Sequence, residues 1–174
     1  MNDETENNYL PFGLANLGNT CFLNSCLQVL RFTPELSIIL KNSGKLKPSN
    51  LDHQMTMEWI ELYNMMCNNQ NDMTKRLAIG PHKFVETIQK VAKNKGVELF
   101  TGWAQNDMPE FLLFIMECFH KSISCSMTIT VNGTPKNEID KNALQCFSMI
   151  KDIYEKEYSE LMDCLLYASP SPRD

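Results

Sequence analysis

Met55, Trp59, Leu62, Tyr63 and Met66 recur at the spacing of an α-helix, and the same period returns near residues 84–92, 108–119 and 144–161. Side chains three and four residues apart share one helix face, whereas a half-buried strand needs strict alternation. A chain dominated by such runs buries its apolar faces by laying helix on helix, so this period constrains the architecture more than any other feature.

Loop residues mark off the runs. From Phe22 the string FLNSCLQVLRF sets Phe22, Leu23, Cys26, Leu27 and Leu30 on neighbouring helical positions, so a short buried helix begins at or next to Cys21 and stops at Thr33-Pro34. A linker rich in Lys, Asn, Ser and Pro occupies 41–50, and NNQND at 68–72 ends the helix of Trp59. Gly80-Pro81 opens a third helix, with Phe84, Ile88, Val91 and Ala92 on one face and Lys-Asn-Lys-Gly as its exit. Met108, Phe111, Leu112, Ile115 and Phe119 mark a fourth. MTITVNGT, with β-branched alternation and Asn-Gly, predicts a strand entering a turn. A last helix is expected from about Asn142 to Cys164, its apolar stripe formed by Leu144, Phe147, Ile150, Tyr154, Tyr158 and Leu161. These faces, Trp59, Trp103 and the methionines at helical spacing are core by default. There is no internal repeat, and YASPSPRD at the end breaks every pattern before it.

Composition narrows the function classes. With 174 residues, 43% hydrophobic and 21% charged, the chain suits one globular domain. A formal charge of −5 supplies no basic patch for a phosphate backbone, which argues against nucleic acid and for a basic or neutral protein partner. MNDETENNYLPFG lacks the positive and apolar regions of a secretory signal. No run approaches the roughly 18 consecutive apolar residues of a membrane helix. Cys21, Cys26, Cys67, Cys118, Cys125, Cys146 and Cys164 are odd in number and scattered, without a CxxC pair. That pattern argues against a disulfide framework or a zinc site and for a reducing, intracellular compartment.

One of those cysteines has an unusual setting, between a Gly-Asn-Thr turn and an apolar helix. A thiol in the first turn of a helix lies at the positive end of the macrodipole, which favours thiolate. The backbone N–H groups there can receive the oxyanion of a tetrahedral intermediate, and Asn16, five residues before Cys21, is placed to add a side-chain donor. The plainer reading makes Asn16 and Asn19 turn residues and Cys21 a small core residue.

GLANLGNTCFLNSCLQVL resembles the cysteine box of the ubiquitin-specific proteases, G-L-x-N-x-G-N-T-C-[YF]-[ML]-N-S-x-L-Q-x-L. Gly13, Leu14, Asn16, Gly18, Asn19, Thr20, Cys21, Asn24, Ser25, Leu27, Gln28 and Leu30 match at fixed spacing. GWAQNDMPEFLLFIMECFH, residues 102–120, resembles the family's Gln-x-Asp box through Gln105, Asp107, Glu110, Phe111 and Leu112. It departs from that box at Asn106, which replaces the commoner Gln, and at Met108-Pro109. The resemblance implies that Cys21 is the nucleophile and Asn16 an oxyanion-hole donor. It implies that Gln105 lies beside the cleft, that Asp107 helps hold ubiquitin's basic C-terminal tail, and that His120 is structural. By spacing, Asp107 and Glu110 also make a capping box, with Pro109 tolerated in a first turn, and an aspartate there can do both.

A cysteine protease also needs a base, normally a histidine oriented by a carboxylate or amide. His53, His82 and His120 are the chain's three histidines, and none lies in anything resembling the family's G-H-Y-x-x-[YF] box. The expected architecture is therefore mainly α, with at most a short β-hairpin: the α-helical thumb lobe of an α+β papain-like cysteine peptidase. Residues 1–11 are expected to be a flexible segment, 12–164 the thumb portion, and 165–174 a tail that is either authentic or foreign to the domain. Such a lobe, separated from its partner lobe, is expected to present apolar surface.

The function implied is a thiol-dependent deubiquitinase, a ubiquitinyl hydrolase acting on isopeptide bonds. With no general base of its own, this chain is expected to be inactive or nearly so alone. No cofactor or metal is called for, and the family's zinc-binding cysteine pairs are absent. Ubiquitin and ubiquitinated proteins are the implied partners, with an activating protein partner as an open addition and neither nucleic acid nor membrane. The setting is the cytoplasm, the nucleus or both. The alternative is a non-catalytic ubiquitin-binding or scaffold module.

Overall fold

The computed structural model describes residues 13–42, 50–68, 78–97 and 105–161. In chain order the helices are α1 (Cys21–Arg31), α2 (Pro34–Asn42), α3 (Leu51–Asn68), α4 (His82–Asn94), α5 (Met108–Ile123) and α6 (Glu138–Lys156). Among the described residues there is no strand, only two isolated bridges, Leu14 with Ile79 and Cys125 with Tyr158. The mainly α expectation holds.

The middle of the bundle is α3, packed against α4 and α5, with α2 on its flank; α1 lies against α5 and α2. Trp59 of α3 is fully buried, its ring 6.1 Å from that of Phe84 on α4 and 6.2 Å from that of Phe119 on α5. Large aromatic rings bury the most apolar area per residue, so one Trp contacting two helices fixes both. A charged pair is drawn towards this interior: Lys95 Nζ, just past α4, lies 2.8 Å from Oδ1 of the buried Asp52 at the start of α3.

Helix ends follow local chemistry. Gly96, at φ +68, ends α4 where the Val97 N–H reaches back to the Ala92 carbonyl, a left-handed stop that a glycine makes at little cost. Asp107 caps α5 by accepting from the Glu110 N–H at 3.4 Å, with a proline in the first turn. Thr33-Pro34 does stop α1, but Pro34 also opens α2, whose Leu36, Ile39 and Leu40 are buried. A proline lacks the N–H that a first helical turn leaves unused, so it starts helices as readily as it stops them. Of the expected 41–50 linker, residues 43–49 lie outside the described residues, as do 1–11, Trp103 and the tail.

Two expectations are corrected in the last third of the described chain. MTITVNGT forms no strand: Met127 N–H donates to the Glu155 carbonyl at 3.0 Å and Ile129 N–H to the Glu155 carboxylate at 3.0 Å, and no ladder follows. A strand without a neighbour to pair with has nothing to stabilise it. The chain does bend at Gly133, which stands at φ +103. The last helix begins at Glu138, capped by Asn137, and ends at Lys156 instead of continuing to Cys164. There Tyr158 exchanges both backbone hydrogen bonds with Cys125, at 2.8 and 2.9 Å, which a continuing helix would forbid. Within α6 the stripe is not core, since the helix has no buried residue and Ile139 and Ile153 are well exposed; of the expected stripe only Leu161, beyond the end of α6, is buried in the core.

Candidate active site

The segment ahead of α1 is held on two sides. Ala15 N–H donates to the Ile79 carbonyl at 2.8 Å and Ile79 N–H to the Gly13 carbonyl at 3.0 Å, tying it to the approach to α4. Asn24, one turn into α1, donates its amide to the Ala15 carbonyl at 3.1 Å and the Leu14 carbonyl at 3.4 Å. Between these ties the chain turns through Gly18 at φ +99 and Asn19 at φ +52. Asparagine tolerates that left-handed region better than other residues with a Cβ, so Gly18-Asn19 makes the reversal that puts Thr20 at the helix mouth.

Asn16 is the hub of this turn. Its Oδ1 accepts from Gly18 N–H at 3.1 Å, from Thr20 N–H at 3.3 Å and from the Thr20 hydroxyl at 3.1 Å. Two of those donors are backbone N–H groups, which can only donate, so the atom facing them must be the amide oxygen. Nδ2 is left as the end of the side chain that can serve a ligand. Thr20 is the N-cap residue of α1, yet its side chain makes no cap bond. Its hydroxyl is turned back, accepting from Leu17 N–H at 3.0 Å and reaching Asn16.

Cys21 follows as the first residue of α1 and is exposed. The buried thiols differ: burial pushes Cys26 up to about 11 and Cys118 up to about 12, so both remain protonated at neutral pH. The six described cysteines are all free thiols. Of these, Cys21 alone combines exposure with the first turn of a helix.

The second motif comes to the same place. Phe22, next to Cys21, meets Phe111 edge-on, with ring centroids 5.2 Å apart and planes at 88°. Phe111 lies in the opening turn of α5, so this pair draws the N-terminal ends of α1 and α5 together. Gln105 and Asp107, both exposed, sit immediately ahead of that turn. All four residues singled out by sequence thus belong to two neighbouring helix mouths.

His120 does not join them. His120 is nine residues beyond Phe111, about 13 Å further along α5 at 1.5 Å per residue, and its Nδ1 lies 2.7 Å from the Ser159 hydroxyl. His53 is in the first turn of α3 with a buried, unpartnered Nδ1, and His82 opens α4. Burial holds both His53 and His120 below the usual histidine range. Among the described residues no group of His, Cys, Asp and Glu could hold a metal ion, and no helix is long and apolar enough to cross a membrane.

Sequence reasoning gave Thr20 and Asn24 no role beyond matching a pattern. A threonine just before a helix reads as a cap, and nothing in its type signals that the hydroxyl will turn back towards Asn16.

The sequence profile described as ubiquitin carboxyl-terminal hydrolase matches residues 12–169. Ubiquitin carboxyl-terminal hydrolase 4 of Saccharomyces cerevisiae is 25% identical over 175 residues, covering 87% of this chain and 18% of the relative. Ubiquitin carboxyl-terminal hydrolase 19 of Homo sapiens is 28% identical over 182 residues, covering 91% of this chain and 13% of the relative. A probable ubiquitin carboxyl-terminal hydrolase 4 of Schizosaccharomyces pombe is 28% identical over 124 residues, covering 67% of this chain and 19% of the relative. The chain thus spans less than a fifth of the length of these relatives. With a family profile matched along nearly all of its length and both boxes meeting at one place in the fold, the chain belongs to the ubiquitin carboxyl-terminal hydrolase family.

Proposed function

We propose that residues 12–164 are the nucleophile-bearing thumb portion of a thiol-dependent deubiquitinase. In this reading Cys21 attacks the carbonyl carbon of ubiquitin's terminal glycine in an isopeptide bond. The electron pair displaced onto oxygen is received by Asn16 Nδ2 and by N–H groups of the first turn of α1. Collapse of the intermediate expels the lysine amine and leaves a thioester, which water hydrolyses. Asp107, at the mouth of α5, takes the basic C-terminal tail of ubiquitin, and Gln105 lines the cleft beside it. No cofactor enters these steps. The partners are ubiquitin and ubiquitinated proteins, in an intracellular setting, and an activating protein partner is compatible with the same scheme.

The observation that carries this reading is the Phe22–Phe111 contact, which sets an exposed helix-mouth cysteine beside an exposed helix-mouth aspartate. A base is the missing part. His120 is turned to Ser159 and lies about 13 Å beyond Phe111 at the helical rise, so it is not in reach of Cys21. Because none of His53, His82 and His120 lies in a string resembling the family's histidine box, we assign the general base to a histidine outside this chain. Hydrolases that lose one triad member lose on the order of 10³-fold or more in rate, so this chain alone turns over little or nothing.

Two assays on the chain as it stands test the reading. A ubiquitin carrying a C-terminal alkyne electrophile is expected to label Cys21, as located by peptide mass spectrometry, and to label nothing in Cys21→Ala. Hydrolysis of ubiquitin-AMC by the same sample is expected to stay near background. Labelling at another cysteine would remove Cys21 from the mechanism. Turnover comparable to intact family enzymes would mean that one of the three histidines is the base after all. Ubiquitin binding without any labelling would favour a non-catalytic binding module.

A further inference from the structure

We infer that Thr20 is a positioning residue for the oxyanion site: its hydroxyl is the third donor, beside two backbone N–H groups, that holds the Asn16 amide in place with Nδ2 towards the substrate. The inference deepens the acyl-transfer reading of Cys21 and rests on it.

The argument begins with what Thr20 does not do. As N-cap of α1 it has the residue type that normally accepts from the second or third N–H of the helix, and here it makes no such bond. The hydroxyl instead donates to Asn16 Oδ1 at 3.1 Å while accepting from Leu17 N–H at 3.0 Å. Thr20 is only 5% exposed, so this hydroxyl has no water to fall back on, and its geometry is set by those two partners.

Two consequences follow for the site. A primary amide can turn end for end, and an Asn16 with Oδ1 outward would present an acceptor to a developing negative charge, which repels it. Three donors converging on Oδ1 make that flip costly, since turning Nδ2 inward would set an NH2 against two backbone N–H groups. The same diversion of the hydroxyl leaves the Thr20 side chain off the first-turn N–H groups of α1, the other donors that the oxyanion requires. The hydroxyl thus adds a third hold on the amide and keeps itself out of the site.

The test separates oxyanion binding from thiol reactivity. In ubiquitin C-terminal aldehyde the thiolate sulfur adds to the carbonyl carbon, the π pair moves to oxygen, and that oxygen is protonated from solvent, giving a hemithioacetal that needs the oxyanion donors. Iodoacetamide alkylates the same sulfur by displacement of iodide and needs none. Both reactions are followed on the whole chain by mass spectrometry at about pH 9, where an ordinary thiol ionises without a base. Thr20→Val is expected to weaken the aldehyde adduct by on the order of tenfold, the worth of one hydrogen bond, with an unchanged alkylation rate at Cys21. Thr20→Ser is expected to recover the adduct. In an Asn16→Ala background Thr20→Val is expected to cost nothing further, because its effect passes through Asn16.

A Thr20→Val chain that holds the aldehyde as well as wild type overturns the inference, and so does an equal loss with and without Asn16. If valine at this buried position unfolds the chain, as a thermal melt would show, Thr20→Ala is read in its place. Should the wild-type chain form no adduct while Cys21 still alkylates, the acyl-transfer reading itself fails, and the role of Thr20 with it.

Discussion

α5 and α6 are built on the same pattern and fare differently. Each carries apolar residues at helical spacing, and each begins with a side chain that caps the third residue beyond it, Asp107 to Glu110 and Asn137 to Asp140. In α5 the stripe is satisfied: Phe111, Phe114, Ile115, Cys118 and Phe119 are all buried. In α6 nothing is buried, and Ile139, Met149 and Ile153 are 78%, 76% and 58% exposed. Among the described residues α6 is tied instead at its exit, where Tyr158 pairs with Cys125 and Ser159 with His120. Periodicity therefore states which face of a helix wants a partner, and packing alone decides whether it gets one. Most helical stability in proteins comes from that packing, so the two helices should differ sharply in what their side chains contribute.

Truncating the core is the largest test of this contrast. Trp59→Ala, at a fully buried ring that touches Phe84 and Phe119, is expected to lower unfolding free energy by about 3–5 kcal/mol in a denaturant titration. Ile153→Ala on α6 is expected to stay within about 0.5 kcal/mol, as surface changes do. If the two variants melt alike, α6 is covered in solution and the contrast is false.

The same contrast marks how far the sequence could be read. The α1, α3, α4 and α5 runs were legible because an apolar stripe bounded by Gly, Pro and Asp specifies both a helix and its limits. α2 was not, since Pro34 is read equally as a stop or a start. The strand over MTITVNGT failed because strand propensity needs a neighbour that sequence does not supply. Arg31 was unreadable for another reason: a charged residue in the last turn of α1 is expected at the surface, and here it is buried with both terminal nitrogens unpaired. At the site, Cys21, Asn16, Gln105 and Asp107 were found as motif positions. That the two motifs meet, and through which rings, depends on a contact between residues 22 and 111, which neither local spacing nor propensity encodes.

Removing the caps sharpens the comparison at smaller scale. Asp107→Ala is expected to cost about 1 kcal/mol of global stability, because α5 cannot fray without disturbing the core. Asn137→Ala removes a shorter bond, 2.8 Å against 3.4 Å, yet should loosen only the first turn of α6, seen as faster amide exchange there with an unchanged midpoint of unfolding. Asp107→Ser divides the two roles given to that residue, since serine still caps but carries no charge. Stability should return to within a few tenths of a kcal/mol of wild type, while affinity for ubiquitin falls. Serine binding ubiquitin as well as aspartate would leave Asp107 a cap and nothing more.

The smallest effect lies at the joint between the two regions. Burial lowers His120, the Glu157 carboxylate 4.0 Å from its Nε2 works against that, Lys121 reinforces it and Glu117 opposes it; the net direction is down. A histidine harder to protonate folded than unfolded means that the unfolded chain binds more protons through that window, so stability rises with pH there. Its contribution is complete above the unfolded value of about 6.5 and is lost as pH falls through the folded value. His53 is lowered by burial too and adds in the same sense, so global stability alone cannot separate them. Location does, because His120 contacts Ser159 whereas His53 sits in α3. Below about pH 6.5 the amides of Cys125 and Tyr158, which close the exit of α6, are expected to lose exchange protection before those around Trp59 do. His120→Gln should flatten that local loss and leave the part due to His53 in place. Simultaneous loss at both locations would mean that α6 opens only when the whole bundle does, and that its exit is held by more than one histidine and one serine.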